Sequence, residues 1–79
     1  MHELLPLHQL DRGESAEIDQ LSGRAEYVHR LEELGLRCGV RVEMVQPGSP
    51  CIIRVAGDQR LCFRDTKTLG IFVRPETKL

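Results

Sequence analysis

The 79 residues, 41% apolar and 29% charged with a net charge of −1, have the make-up of one small globular domain and leave no room for a second core. No apolar run approaches the ~20 residues needed to cross a bilayer. Met1-His2-Glu3 and Leu4-Leu5-Pro6-Leu7 also lack the basic and apolar regions of a secretory leader, so a cytoplasmic protein, not membrane-embedded, is expected. The near-neutral charge argues against nucleic acid as a partner, because phosphate-binding proteins concentrate positive charge. Here the basic residues are spread from Arg12 to Lys78, and only Arg54, Arg60 and Arg64 could gather into a basic patch. Cys38, Cys51 and Cys62 are odd in number and far apart, which fits reduced thiols better than a disulfide framework.

Leu4, Leu7 and Leu10 recur every three residues, predicting a short helical turn with one apolar edge. Asp11-Arg12-Gly13 reads as a turn. From Glu14 to Leu21 the period is two, with Ala16, Ile18 and Gln20 on one face, and Ser22-Gly23 stops the strand. From Arg24 to Leu34 the period changes: Tyr27, Leu31 and Leu34 fall at i, i+4 and i+7 beside Val28, so a helix is predicted. Gly35 then stands where helices close in the left-handed conformation, and Leu36 can fold back onto the last turn.

Four further strands follow. Val40 to Gln46 places Val42 and Met44 with Val40 inward, and Pro47-Gly48-Ser49-Pro50 turns the chain. Cys51 to Val55 points Cys51, Ile53 and Val55 one way and Ile52 and Arg54 the other. Gly57-Asp58 reverses it, and Arg60 to Arg64 returns with Leu61 and Phe63 inward. Asp65 can cap one short turn through Leu69. Ile71-Phe72-Val73 is the last strand, ended by Pro75; the core spans about 4–74 of the single domain 1–79, and 75–79 are expected to form a loose tail. Five short strands and one helix are too little for parallel crossovers, so a mainly β, five-stranded antiparallel barrel with one α-helix inserted after the first strand is expected.

The central block carries a resemblance. Arg30-Leu31-Glu32-Glu33-Leu34-Gly35-Leu36, Cys38-Gly39-Val40-Arg41-Val42, Pro47 and Pro50, Ile53-Arg54-Val55, Gly57, Leu61-Cys62-Phe63-Arg64 and Ile71-Phe72-Val73 stand in the order and near the spacing of the FeoA family. The chain resembles that family over about residues 4 to 74. The resemblance implies an SH3-like barrel and a role beside FeoB, the ferrous iron permease that carries a cytosolic GTPase domain. It also implies kinship with the C-terminal module of iron-dependent repressors. The turn Gln46 to Cys51 is shorter than the family's usual link, and Phe63 replaces its usual leucine.

An iron association puts His and Cys in question first. Metal sites need converging ligands with short spacings such as C-x₂-C, and the sequence has none. His2, His8 and His29 read as solvated, Cys51 as a small core residue, and Cys62 as an exposed thiol on the opposite face from Cys51. No metal ligand, cofactor site or catalytic residue is expected, and only a loose Fe²⁺ association would be compatible. There is no phosphate-cradling loop, and the Glu32-Glu33 carboxylates diverge by ~100° around a helix. That leaves surfaces. Arg30, Glu33 and Arg37 would be grouped by helical geometry and are the expected partner contacts, together with outward Ile52, whose neighbours Arg54 and Cys62 complete a mildly apolar patch. Such a patch also suits a seam between copies of the chain. A non-catalytic adaptor of ferrous iron transport is the leading expectation; an Fe²⁺-binding carrier or sensor and a generic SH3-like interaction module are the rivals.

Overall fold

The computed structural model describes residues 4–48, 50–56, 58–63 and 70–76. Its elements in chain order are β1 (Leu5–Pro6), β2 (Ser15–Leu21), α1 (Ala25–Glu33), β3 (Arg41–Gln46), β4 (Cys51–Val55), β5 (Gln59–Phe63) and β6 (Ile71–Pro75). A 3-10 turn at Leu7–Gln9 separates β1 from β2. All described strand pairs are antiparallel, in the order β1-β6-β2-β3-β4-β5.

Two expectations change. The strands among the described residues number six, because Leu5 and Pro6 pair with Val73 and Phe72 before the leucine-rich turn begins. Proline is tolerated there because β1 lies at the end of the sheet, where its missing N–H breaks no ladder. The sheet is also open: β1 and β5 stand at opposite ends of the order, and no pairing joins them among the described residues.

One core lies on one face of this sheet. Ala16, Ile18, Val42, Met44, Cys51, Ile53, Val55, Ile71 and Val73 fill it from the strands, and Leu7, Leu10, Leu31 and Leu36 cover it. The alternation read from Glu14 fails beyond Ile18. A register shift against β6 between Ile18 and Gln20 leaves Gln20 exposed and turns Leu21 partly inward. A second shift, between Met44 and Gln46 against β4, accounts for half-buried Val45.

The helix ends as its sequence dictates. Gly35 has φ +97°, its N–H donates to the Glu32 carbonyl at 3.0 Å, and the Leu36 N–H donates to the Leu31 carbonyl at 3.0 Å. Those two bonds define a Schellman closure, and they drive Leu36 into the core at 0% exposure. Leu34 is displaced from the expected apolar stripe and is 38% exposed. After the helix, the Gly39 N–H donates to the Ile18 carbonyl and the Val40 carbonyl accepts from Ile18, so β3 is laid onto β2 before it formally starts.

At the C-terminal end, Pro75 lies opposite Ala16 in β6. The Glu76 N–H donates to the Ser15 carbonyl, and its carboxylate accepts from Arg41 Nε at 2.7 Å. Residues 75 and 76 are therefore held by the sheet, contrary to the loose tail expected from Pro75 onward. The rest of that tail, 77–79, the turn expected at Asp65–Leu69, and Arg64 lie outside the described residues.

Candidate partner-binding surface

Helix α1 is a surface helix with one buried side chain, Leu31. Tyr27 and Val28 are half-buried beside it, and burial raises the Tyr27 hydroxyl pKa. Arg30 and Glu33 are both exposed, one helical turn apart, as the sequence predicted. Glu33 also sits 3.5 Å from His29 at the i, i+4 spacing. Arg24, Glu26, Tyr27 and Arg30 line a shallow recess of about 190 Å³ on this face. Arg37 does not share the helical register expected of it. The helix stops at Glu33, Gly35 turns the backbone, and Arg37 instead donates its Nε–H back to the Glu32 carbonyl at 3.5 Å. That places a cation against the negative end of the helix dipole.

The outer sheet face is organised by register. Arg74 of β6 stands opposite Glu17 of β2, and Glu17 stands opposite Arg41 of β3. Two residues along, Ser15 faces Glu43, Glu43 faces Arg54 of β4, and Arg54 faces Arg60 of β5. Ion pairs tie much of this row together: Arg74 to Asp19, Arg41 to Glu76 at 2.7 Å, and Arg54 to Glu43 at 3.1 Å. Hydrogen bonding and charge from Glu76 raise the Arg41 pKa, and Asp19 does the same for Arg74. A second recess, about 270 Å³, opens beside Arg41, Glu43, Arg54 and Asp58. Asp58 turns the β4–β5 connection with φ +68°.

Ile52 lies on this outer face, half-buried, with exposed Cys62 directly across from it. The four expected contact residues therefore divide among the helix (Arg30 and Glu33), the connection after it (Arg37) and the sheet (Ile52). The sequence marks Arg41, Arg54 and Arg60 as outward but gives neither Arg74 nor the row they form. Alternation says which side chains point outward; which of them meet depends on strand register and on bulges, which alternation does not encode.

Cys62 is exposed and Cys51 is buried, as expected, with Cys51 Sγ 3.7 Å from Met44 Sδ; Cys38, which the sequence does not orient, is exposed as well. Burial, and then the charge of Cys62, raise the Cys51 thiol pKa. Among the described residues no group of three or more His, Cys, Asp or Glu side chains converges in a way that could hold a metal ion. None of the described helices is long and apolar enough to cross a membrane.

Comparison with known proteins places this geometry. An iron uptake regulatory protein, FeoA, superposes with a TM-score of 0.85 at 21% identity, over 94% of this chain and all of that one. FeoA of Stenotrophomonas maltophilia, solved with zinc and described as a prokaryotic SH3 domain protein, gives 0.74 at 26% identity over 87% of this chain and 88% of that one. The fold is SH3-like, and the open sheet is a small departure from a closed barrel. The repressor IdeR of T. acidophilum gives 0.81 at 16% identity over 92% of this chain, which spans 34% of the repressor. A search among curated proteins finds no match. The family model of the FeoA domain matches residues 5–75. Nearly the whole chain is thus accounted for, and the protein belongs to the FeoA family, which is linked to ferrous iron transport.

Proposed function

We propose that this protein is a non-catalytic, cytoplasmic accessory factor of bacterial ferrous iron transport, acting by docking on the cytosolic part of a FeoB-type permease. The observation that carries this reading is the FeoA match over residues 5–75. It is supported by the S. maltophilia relative, for which a role as a ferrous iron transport activating factor has been suggested. A docking factor needs surfaces rather than a cleft. The shallow helix recess with Arg30, the neighbouring Glu33, the returned Arg37, and Ile52 on the sheet are the contacts we assign to it. The effect on transport would be a shift in population: the protein favours whichever permease conformation it binds more tightly. No tightly held cofactor is needed.

Anaerobic Fe²⁺ uptake by cells lacking this protein tests the proposal. Uptake should change on deletion, recover with the wild-type chain, and fail to recover with Arg30→Glu combined with Arg37→Glu. Unchanged uptake on deletion would remove the transport role. The zinc-bound relative favours one alternative, an Fe²⁺-binding carrier or sensor. Tight stoichiometric Fe²⁺ binding by the isolated protein in an anaerobic titration would move that alternative ahead.

A further inference from the structure

Across β4 and β5 the outward side chains form two directly opposed pairs, Ile52 with Cys62 and Arg54 with Arg60. Opposed side chains in an antiparallel pair lie about 4.5–5.5 Å apart at Cβ, where like charges work against folding. Arg54 is relieved on its other side by Glu43 at 3.1 Å. Arg60 is exposed, and no acidic side chain among the described residues forms an ion pair with it. The same face carries half-buried Ile52 and exposed Cys62, an apolar pair bordered by two guanidinium groups. β5 is moreover the terminal strand of the sheet order. A local rule is broken here, and no described residue compensates for it on the β5 side, which is the pattern expected of a surface kept for a partner.

We propose that the edge of β5 and the outer face of β4–β5 bind an extended, acidic segment of a protein partner. In that segment a carboxylate would meet Arg60 and Arg54, and an apolar side chain two residues away would lie on Ile52 and Cys62. The spacing follows from the strand period of two, by which residues i and i+2 of an added strand share a face. A second copy of this chain fits less well, since β5 offers arginine and no carboxylate. Nucleic acid also fits less well: Glu43 and Asp58 flank the arginines, the neighbours are apolar, and the net charge is −1. The inference deepens the docking function by naming the chemistry of the partner segment, and it rests on that function only for the partner's identity.

The test uses the full chain and three labelled probes: a peptide of Glu-Thr-Val-Thr repeats, which sets glutamate and valine two residues apart on one strand face, the same peptide with lysine for glutamate, and a single-stranded oligonucleotide. The glutamate peptide should bind and slow alkylation of Cys62 in a Cys38→Ser background, while the lysine peptide should not. Arg60→Glu should weaken that binding by about ten-fold or more, yet melt no lower than wild type, because it removes the like-charge pair. Equal binding of both peptides, binding of neither, indifference to Arg60→Glu, or preference for the oligonucleotide would each overturn the proposal. Titration with the permease's cytosolic part separates the two claims. Glutamate-peptide binding through Arg60 without permease binding leaves the surface standing and removes the permease as partner. Permease binding that ignores Arg60→Glu removes the surface and leaves the docking function.

Discussion

Ser22 and Gly70 cross backbone to backbone. The Ser22 N–H donates to the Gly70 carbonyl at 2.7 Å, and a Cβ on Gly70 would fall inside the van der Waals shell of the Ser22 carbonyl oxygen. The contact lies just outside the paired residues Leu21 and Ile71, so it fastens the end of β2 to the start of β6. Gly70→Ala cannot relieve the overlap by turning a side chain, because both partners are main chain. We expect a loss of roughly 1–3 kcal/mol in urea unfolding. Wild-type stability in the variant would show that the crossing opens at little cost.

The helix closure gives a second expectation. Leu36 is fully buried only because Gly35 adopts φ +97° and the Leu36 N–H reaches the Leu31 carbonyl. Gly35→Ala should cost about 1–2 kcal/mol from the left-handed backbone alone. Leu36→Ala should cost roughly 2–5 kcal/mol from lost burial and the cavity left behind. Thermal unfolding of the two variants should rank them in that order.

Cys51 ties the core to pH. Its thiol pKa is raised above the ordinary 9.0, chiefly by burial, so the folded state holds a proton that the unfolded state releases. Stability from this group is complete below pH 9.0 and declines as pH rises from there toward the higher folded value. Tyr27, raised from 10.0 by burial, acts in the same direction at higher pH. Cys51→Ala should flatten the first part of the alkaline loss while lowering stability at neutral pH. In native protein an alkylating reagent should modify Cys38 and Cys62 and leave Cys51 until the chain unfolds.

Arg41 joins the Glu76 carboxylate and, through Nη2, the Ser15 hydroxyl at 3.3 Å. Both ends of the ion pair are well exposed, so screening by water and salt keeps its contribution small. Arg41→Ala should leave the melting temperature near wild type at high salt and lower it slightly at low salt. Its clearer effect should be faster amide exchange at Glu76, whose N–H bonds to the Ser15 carbonyl.

The parts of the fold legible in the sequence were those written in short-range periodicity. Leu31, Gly35 and Leu36 announce the helix and its end, and the inward set Cys51, Ile53 and Val55 is buried as alternation requires. What alternation could not carry was long-range register. Pairing of Leu5 with Val73 spans almost the whole chain, and the shifts near Ile18 and Met44 re-aim Gln20 and Val45 without any glycine or proline to mark them. The same holds for the surface. Arg54 and Arg60 were legible as outward, but their meeting follows from the turn at Asp58, a non-glycine residue at positive φ. Arg37 was misplaced for the converse reason: helical spacing was extended past a glycine that ends the helix.

Direct binding of the purified protein to the cytosolic part of the ferrous iron permease from the same cell tests the central claim. Calorimetry should show a saturable complex, weakened by Arg30→Glu with Arg37→Glu in variants that remain folded. Absence of a complex with or without guanine nucleotide, at protein concentrations well above those in the cell, would contradict docking on the permease.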